Sequence, residues 1–306
     1  MSLRFKSALQ SYLLELEERG LSQKTLAHNR NALSQFIEFC RNRGLREVQA
    51  ITGEHVVAFR RQIAWNPGVK GELLSQNSIY LVLRLVRSFL KWLHEQDHLL
   101  RDLTGDWILP RPLKSPTRTP TAEEMSKLLL TPNVKVRAGL RNRAILELLY
   151  GTGVRLGECL ALKLEHLDLP ASQLQVVDGK GGTSRNLPLG SRLKQILKRY
   201  LKARAKVAPE NEQALFLTRT GKPITAGSIA QMLRRNAQIA GLKPFSSHAV
   251  RRGFATHLLE NGADIKVIQA LLGHKHLDST QFYLQPDFQE LKKVYNRTHP
   301  RASKRG

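Results

Sequence analysis

A chain of 306 residues with 41% hydrophobic side chains can bury one large core or two ordinary ones, which sets disorder aside as the default reading. Forty-nine Lys and Arg against 25 Asp and Glu leave a net charge of +24. So large an excess suits a polyanionic partner, because each neutralised phosphate releases counterions, while ribosomal, chromatin-like and enzymatic roles all stay open.

Ile79 to Leu83, the longest apolar run, is far too short to span a bilayer, and the N-terminal stretch has no continuous signal-type core. Cys40 and Cys159 fall in apolar-periodic stretches, as small core residues of a reduced, cytoplasmic compartment do. The first hundred residues read as helices. Phe5, Leu9, Tyr12, Leu13 and Leu16 make one face, which Gly20 ends; Ser22 caps a second helix carrying Leu26, Leu33, Phe36, Ile37 and Cys40, closed by Gly44. A shorter helix follows Thr52. Ser75 opens a long one with Ile79, Val82, Val86, Phe89, Leu90 and Leu93 inward and Arg84, Arg87 and Lys91 on the other side, a cationic stripe suited to a phosphate backbone or simply a solvated face.

WILPRPLKSPTRTP, residues 107–120, carries four prolines and no hydrophobic period, and reads as a linker between a helical domain over 1–106 and a second domain over 121–306. Thr121-Ala-Glu-Glu124 is a capping-box start. QLQVV (173–177) and SRNLPL (184–189) alternate as strands joined by the glycine-rich DGKGGT, giving a hairpin. Helical patterns precede residue 162 and resume at 191–206, 225–240 and from 247 onward; PDFQELKKVY suits a short helix, docked in cis or on a neighbour, before a mobile basic tail. The class is mainly α, the second domain α+β with a small antiparallel sheet.

Chemistry gathers in that second domain. In SSHAVRRGFATHLLENG (246–262) a serine cap starts a helix that ends at Gly262. His248, Arg251, Arg252 and Ala255 share one side, and Val250, Phe254, His257 and Leu258 the other. His248 and Arg251 in the first turn make a phosphate clamp or incidental surface charge; His257 is a core histidine. GTGVRLGECLAL (151–162) sets Arg155 behind two glycines that permit a tight turn, with Glu158 three residues on to orient its guanidinium. Lys180 sits at the hairpin tip. In LLGHKHLDSTQFY (271–283), Gly273 ends the helix DIKVIQALL, whose stripe is Ile265, Ile268 and Leu272, and Asp278 with Gln281 starts another segment. The break lets His274 and Tyr283, nine apart, converge across a turn. His274-x-His276 lacks a third ligand at recognised spacing, so no metal and no cofactor are expected.

Arg155 in TGVRLGE, Lys180 in GKGGTSR, His248-x-x-Arg251, His274 in LLGH and Tyr283 in STQFY, in this order and context, resemble the tyrosine recombinase (phage-integrase-like) family, its Xer-type members in particular. The resemblance spans nearly the whole chain. Two departures stand out: Arg252 occupies a position where many relatives carry a second histidine, and Ser246-Ser247 precede His248 where proline is frequent. The resemblance implies a helical, SAM-like core-binding domain and a catalytic domain that cuts and rejoins DNA through a 3′-phosphotyrosyl bond and a Holliday junction. It makes Arg155, Lys180, His248, Arg251 and His274 the groups around the nucleophile Tyr283. Arg84, Arg87, Lys91, Arg185 and Arg252 are the expected DNA contacts, double-stranded DNA the partner and a homo- or heterotetramer the assembly, away from membranes. Resolution of chromosome or plasmid dimers is favoured over movement of a phage or mobile element, and both over a catalytically silent DNA-binding regulator.

Overall fold

The computed structural model describes residues 3–65, 73–105, 107, 109, 118–177, 184–273 and 287–302. Among them the fold is mainly helical with one small antiparallel sheet, as the periodicities predict, and the chain divides into two compact units, Met1–Ser115 and Pro116–Gly306. No helix among the described residues is long and apolar enough to cross a membrane.

The first unit is built from α1 (Phe5–Glu18), α2 (Gln23–Arg41), α3 (Gly53–Trp65) and α4 (Gln76–Glu95). Ser22 and Ser75 cap α2 and α4 by accepting from the amides of Thr25 and Ser78, and Gly20 and Gly44 turn the chain after α1 and α2 with positive φ. The core is aromatic. Phe36 meets Phe59 edge-on at 5.0 Å, and Tyr12 lies 5.3 Å from Phe89 and donates to Ser88 Oγ at 2.9 Å. On α4 the buried stripe is wider than the predicted one: Leu83 and Trp92 join Val86, Phe89, Leu90 and Leu93, whereas Ile79 and Val82 are half-buried. Arg84, Arg87 and Lys91 are exposed opposite it.

In the second unit, Thr121 and Glu124 form the predicted capping box at the start of α5 (Ala122–Leu130). Then come α6 (Arg137–Thr152), α7 (Leu156–Ala161), β1 (Leu167–Asp168), β2 (Gln173–Val177), β3 (Ser184–Pro188), α8 (Ser191–Ala205), α9 (Ala226–Ile239), α10 (Ser247–Glu260), α11 (Ile265–Leu272) and α12 (Phe288–Thr298). The sheet runs β1-β2-β3, with Leu174 opposite Leu187 and Val176 opposite Arg185. The two-residue β1 escaped the sequence reading because so short a strand carries no alternation. The core wraps α6, with Leu146, Leu148, Leu149, Phe254 and Leu258 all fully or almost fully buried.

The structure departs from two of these expectations. The α11 stripe is rotated: Val267, Ile268, Leu271 and Leu272 are buried and Ile265 is exposed, because the helix packs on α10 and α12. The basic tail, expected to be mobile, is packed as far as residue 302. Helix α12 lies against β3, α10 and α11 of its own chain, and beyond it His299, Arg301 and Ala302 are buried. A buried ion-pair network accounts for this: Arg301 pairs with Glu147, which also accepts from Arg143 Nε at 2.9 Å.

Candidate active site

Helix α6 ends on Gly153, whose φ of +62° is a left-handed C-cap; a Cβ there would come within 2.4 Å of the Phe254 ring. Only this glycine of the expected pair adopts the special conformation, since Gly151 lies within α6. The turn delivers Arg155 as the N-cap of α7. Glu158 caps the same helix by accepting from the Arg155 amide at 2.7 Å, and its other oxygen takes Arg155 Nη1 at 2.9 Å. The three-residue spacing does bring the carboxylate to the guanidinium.

Glu158 gathers more than its neighbour. Arg185, from β3, forms a two-pronged pair with it, and Arg251, from α10, brings Nη1 to 3.9 Å of Oε2. Three guanidinium groups therefore surround one carboxylate whose side chain is 7% exposed, a local excess of two positive charges. Arg251 is itself buried. It donates through Nη1 to the Gly153 carbonyl at 2.6 Å and through Nη2 to that of Leu272 at 2.7 Å, two of the five N–H groups a guanidinium offers. Burial, aided by the charges of Arg155 and Arg185 and opposed by Glu158, pulls Arg251 down to about 10, so it keeps its charge at neutral pH. Burial pushes the Glu158 carboxyl up, but hydrogen bonds from Arg185 and from the Arg155 amide outweigh it and hold the group ionised, below its ordinary value. Arg155 is the accessible member, its side chain 41% exposed.

The remaining predicted residues scatter. Ser246 caps α10 as expected, and His248 in its first turn is exposed, whereas Arg251, one turn on, points inward. His257 is a core histidine, as the apolar side of the helix predicts, its Nδ1 2.8 Å from the Tyr150 hydroxyl. Arg252 is half-buried and donates to the Arg118 carbonyl at 3.1 Å. Arg185, expected to touch DNA, instead has its side chain 15% exposed and turned to Glu158. The strand alternation explains this, since Arg185 shares the inward face of β3 with Leu187. Lys180, His274 and Tyr283 lie outside the described residues, as do His276 and the Asp278–Gln281 start.

An arginine cluster at the junction of α7, α10, β3 and the end of α11 suits a phosphate or another anion, and comparison with known proteins narrows the choice. Residues 118–290 match the model of the phage integrase family, and residues 9–97 that of the phage integrase N-terminal SAM-like domain. The chain is 33% identical over 284 residues to tyrosine recombinase XerC 2 of Ralstonia nicotianae, covering 92% of this chain and 82% of that one. It is 34% identical over 290 residues to tyrosine recombinase XerC of Escherichia coli K12, covering 94% of each. A lambda integrase tetramer bound to a Holliday junction superposes with a TM-score of 0.69 at 20% identity, over 92% of this chain and 81% of that one, a likeness of fold. The chain belongs to the phage integrase family, the tyrosine recombinases.

Proposed function

We propose that the chain is an Xer-type site-specific recombinase that cuts and rejoins duplex DNA. The observation that carries the proposal is the convergence of Arg155 and Arg251, from separate elements, into a site with surplus positive charge. A phosphodiester under attack gathers negative charge on its nonbridging oxygens, and preorganised forked donors in a partly dry site stabilise that charge. The Tyr283 hydroxyl oxygen attacks phosphorus, the bond to the 5′ oxygen breaks, and a 3′-phosphotyrosyl ester forms. Lys180 donates the proton the departing 5′ oxygen needs. A phenol is a weak nucleophile at neutral pH, so His248 and His274 hydrogen-bond the phosphoryl group or take the tyrosine proton. The ester retains the energy of the broken bond, and a 5′ hydroxyl of another strand reverses the step without nucleotide or metal.

Joining two duplexes requires four active sites, so the working assembly is a tetramer on DNA, passing through a Holliday junction. We favour resolution of replicon dimers over transfer of a mobile element, as the resemblance to Xer-type recombinases implies. Two buried cysteines, neither of them in a disulfide, suit a reducing cytoplasm.

The test is recovery of DNA covalently attached to the chain after rapid denaturation of cells expressing it. Wild-type protein is expected to carry DNA ends from one recurrent site, and Tyr283→Phe none, while still retarding that DNA in a binding assay. Attached DNA on the phenylalanine variant would refute the nucleophile, and no adduct on either would favour a silent DNA-binding regulator.

A further inference from the structure

Arg185 has no part in that mechanism, yet its placement is the most constrained in the site. Its strand position faces inward opposite buried Val176. Nη1 donates to Glu158 Oε1 at 3.0 Å, Nη2 to Oε2 at 2.8 Å, and Nε to the Leu271 carbonyl at 3.0 Å. Arg251 takes the next carbonyl, that of Leu272, at 2.7 Å, and Arg155 the one after, that of Gly273, at 3.5 Å. Three arginines from three elements thus hold three consecutive carbonyls at the C-terminus of α11. A helix leaves those carbonyls without internal partners, and its dipole favours cations there. Gly273 is required at this contact: its φ is +65°, and a Cβ would lie 2.9 Å from Arg185 Nη1. His274 follows it directly in the chain.

We infer that Arg185 is a positioning residue: it saturates the Glu158 carboxylate so that Arg155 and Arg251 keep their charge for a phosphate, and it pins the end of α11 from which the chain continues to His274. The physical alternative shows why. Without Arg185 the ionised, buried Glu158 would lose its two-pronged partner. It would then take Arg155 more tightly and draw in Arg251 from 3.9 Å, cancelling charge that the transition state needs. Lysine cannot replace it in full, because its donors all sit on one nitrogen and cannot reproduce the planar fork that spans both Glu158 oxygens and the Leu271 carbonyl.

This inference rests on the recombinase reading, and the experiment separates the two. The probe is the DNA recovered from the wild-type adduct, rebuilt as a duplex nicked beside the scissile phosphate so that cleavage is trapped. Single-turnover cleavage at saturating protein and DNA affinity are measured for wild type, Arg185→Ala, Glu158→Gln and the double variant. Arg185→Ala is expected to cleave slower by on the order of 10- to 100-fold at unchanged affinity. The double variant is expected to cleave faster than Arg185→Ala, since neutralising Glu158 releases the two arginines; a merely structural arginine predicts no such rescue. If Arg185→Ala fails to fold, Arg185→Lys carries the test, with a smaller loss at unchanged affinity. Wild-type cleavage by Arg185→Ala, lowered affinity with an unchanged rate, or a double variant no faster than Arg185→Ala would each overturn the inference. A wild-type chain that never cleaves would overturn the recombinase reading and this inference with it.

Discussion

Glu158 shows how far one side chain can be read before the fold is known. Its spacing from Arg155 is local, and one helical turn brings them together. The other two arginines arrive from 27 residues downstream and from α10, and no period links those positions to it. His299 is the contrasting case. Its Nε2 donates to the Tyr150 carbonyl at 3.2 Å and its Nδ1 accepts from the Arg301 amide at 3.1 Å, so the neutral ring is fully bonded and a further proton would displace one partner. Burial, with help from His257 and Arg301, pushes its pKa from 6.5 down to about 3. The unfolded chain takes up a proton near pH 6.5 and the folded one does not. The stability from the neutral ring is therefore full above that pH and drains away as pH falls toward 3, by at most about 1.4 kcal/mol per pH unit. The urea midpoint of wild type should fall more steeply between pH 6 and 4 than that of His299→Gln; parallel curves would place the loss elsewhere.

At the scale of elements, amphipathic periodicity carried most of the reading. The four N-terminal helices, their serine caps, the hairpin strands and the caps of α5, α10 and α11 were all visible in the chain, because each depends on neighbours within a turn or two. What periodicity misjudged was rotation, as in α11, where the packing partners choose the buried stripe. The polar face of α4 supplies a prediction of its own. Lys91 and Glu95 sit 3.6 Å apart with both side chains more than half exposed, a pair worth little, so the stripe's charge is available to a polyanion. Replacing Arg84 with alanine should weaken DNA binding and reduce the slope of log affinity against log salt by about 0.9, while leaving the cleavage rate of bound complex unchanged. An unaltered salt slope would make the stripe a solvated face.

For the molecule as a whole, the tail matters more than its composition suggests. Residues 299–302 complete the second unit's core, and Arg301 balances Glu147, which is 2% exposed. A chain ending at residue 298 removes Arg301 from that carboxylate and leaves it the Arg143 pair, and the second unit is expected to lose about 3 kcal/mol or more of stability. Calorimetry should then show the second unit's transition moved down by several degrees; a truncated chain that melts like the full one would remove the tail from the core.

The amino-acid order alone determined the helical class, the hairpin and the spacing of the residues that resemble a recombinase site, since helix and strand periods, caps and turns are short-range properties. Only the tertiary structure decided that Arg185 turns inward, that Arg251 is buried against two carbonyls, and that the tail is core. Each of those outcomes depends on a partner remote in the chain, and a buried charge goes where its counter-charge and its carbonyls already are.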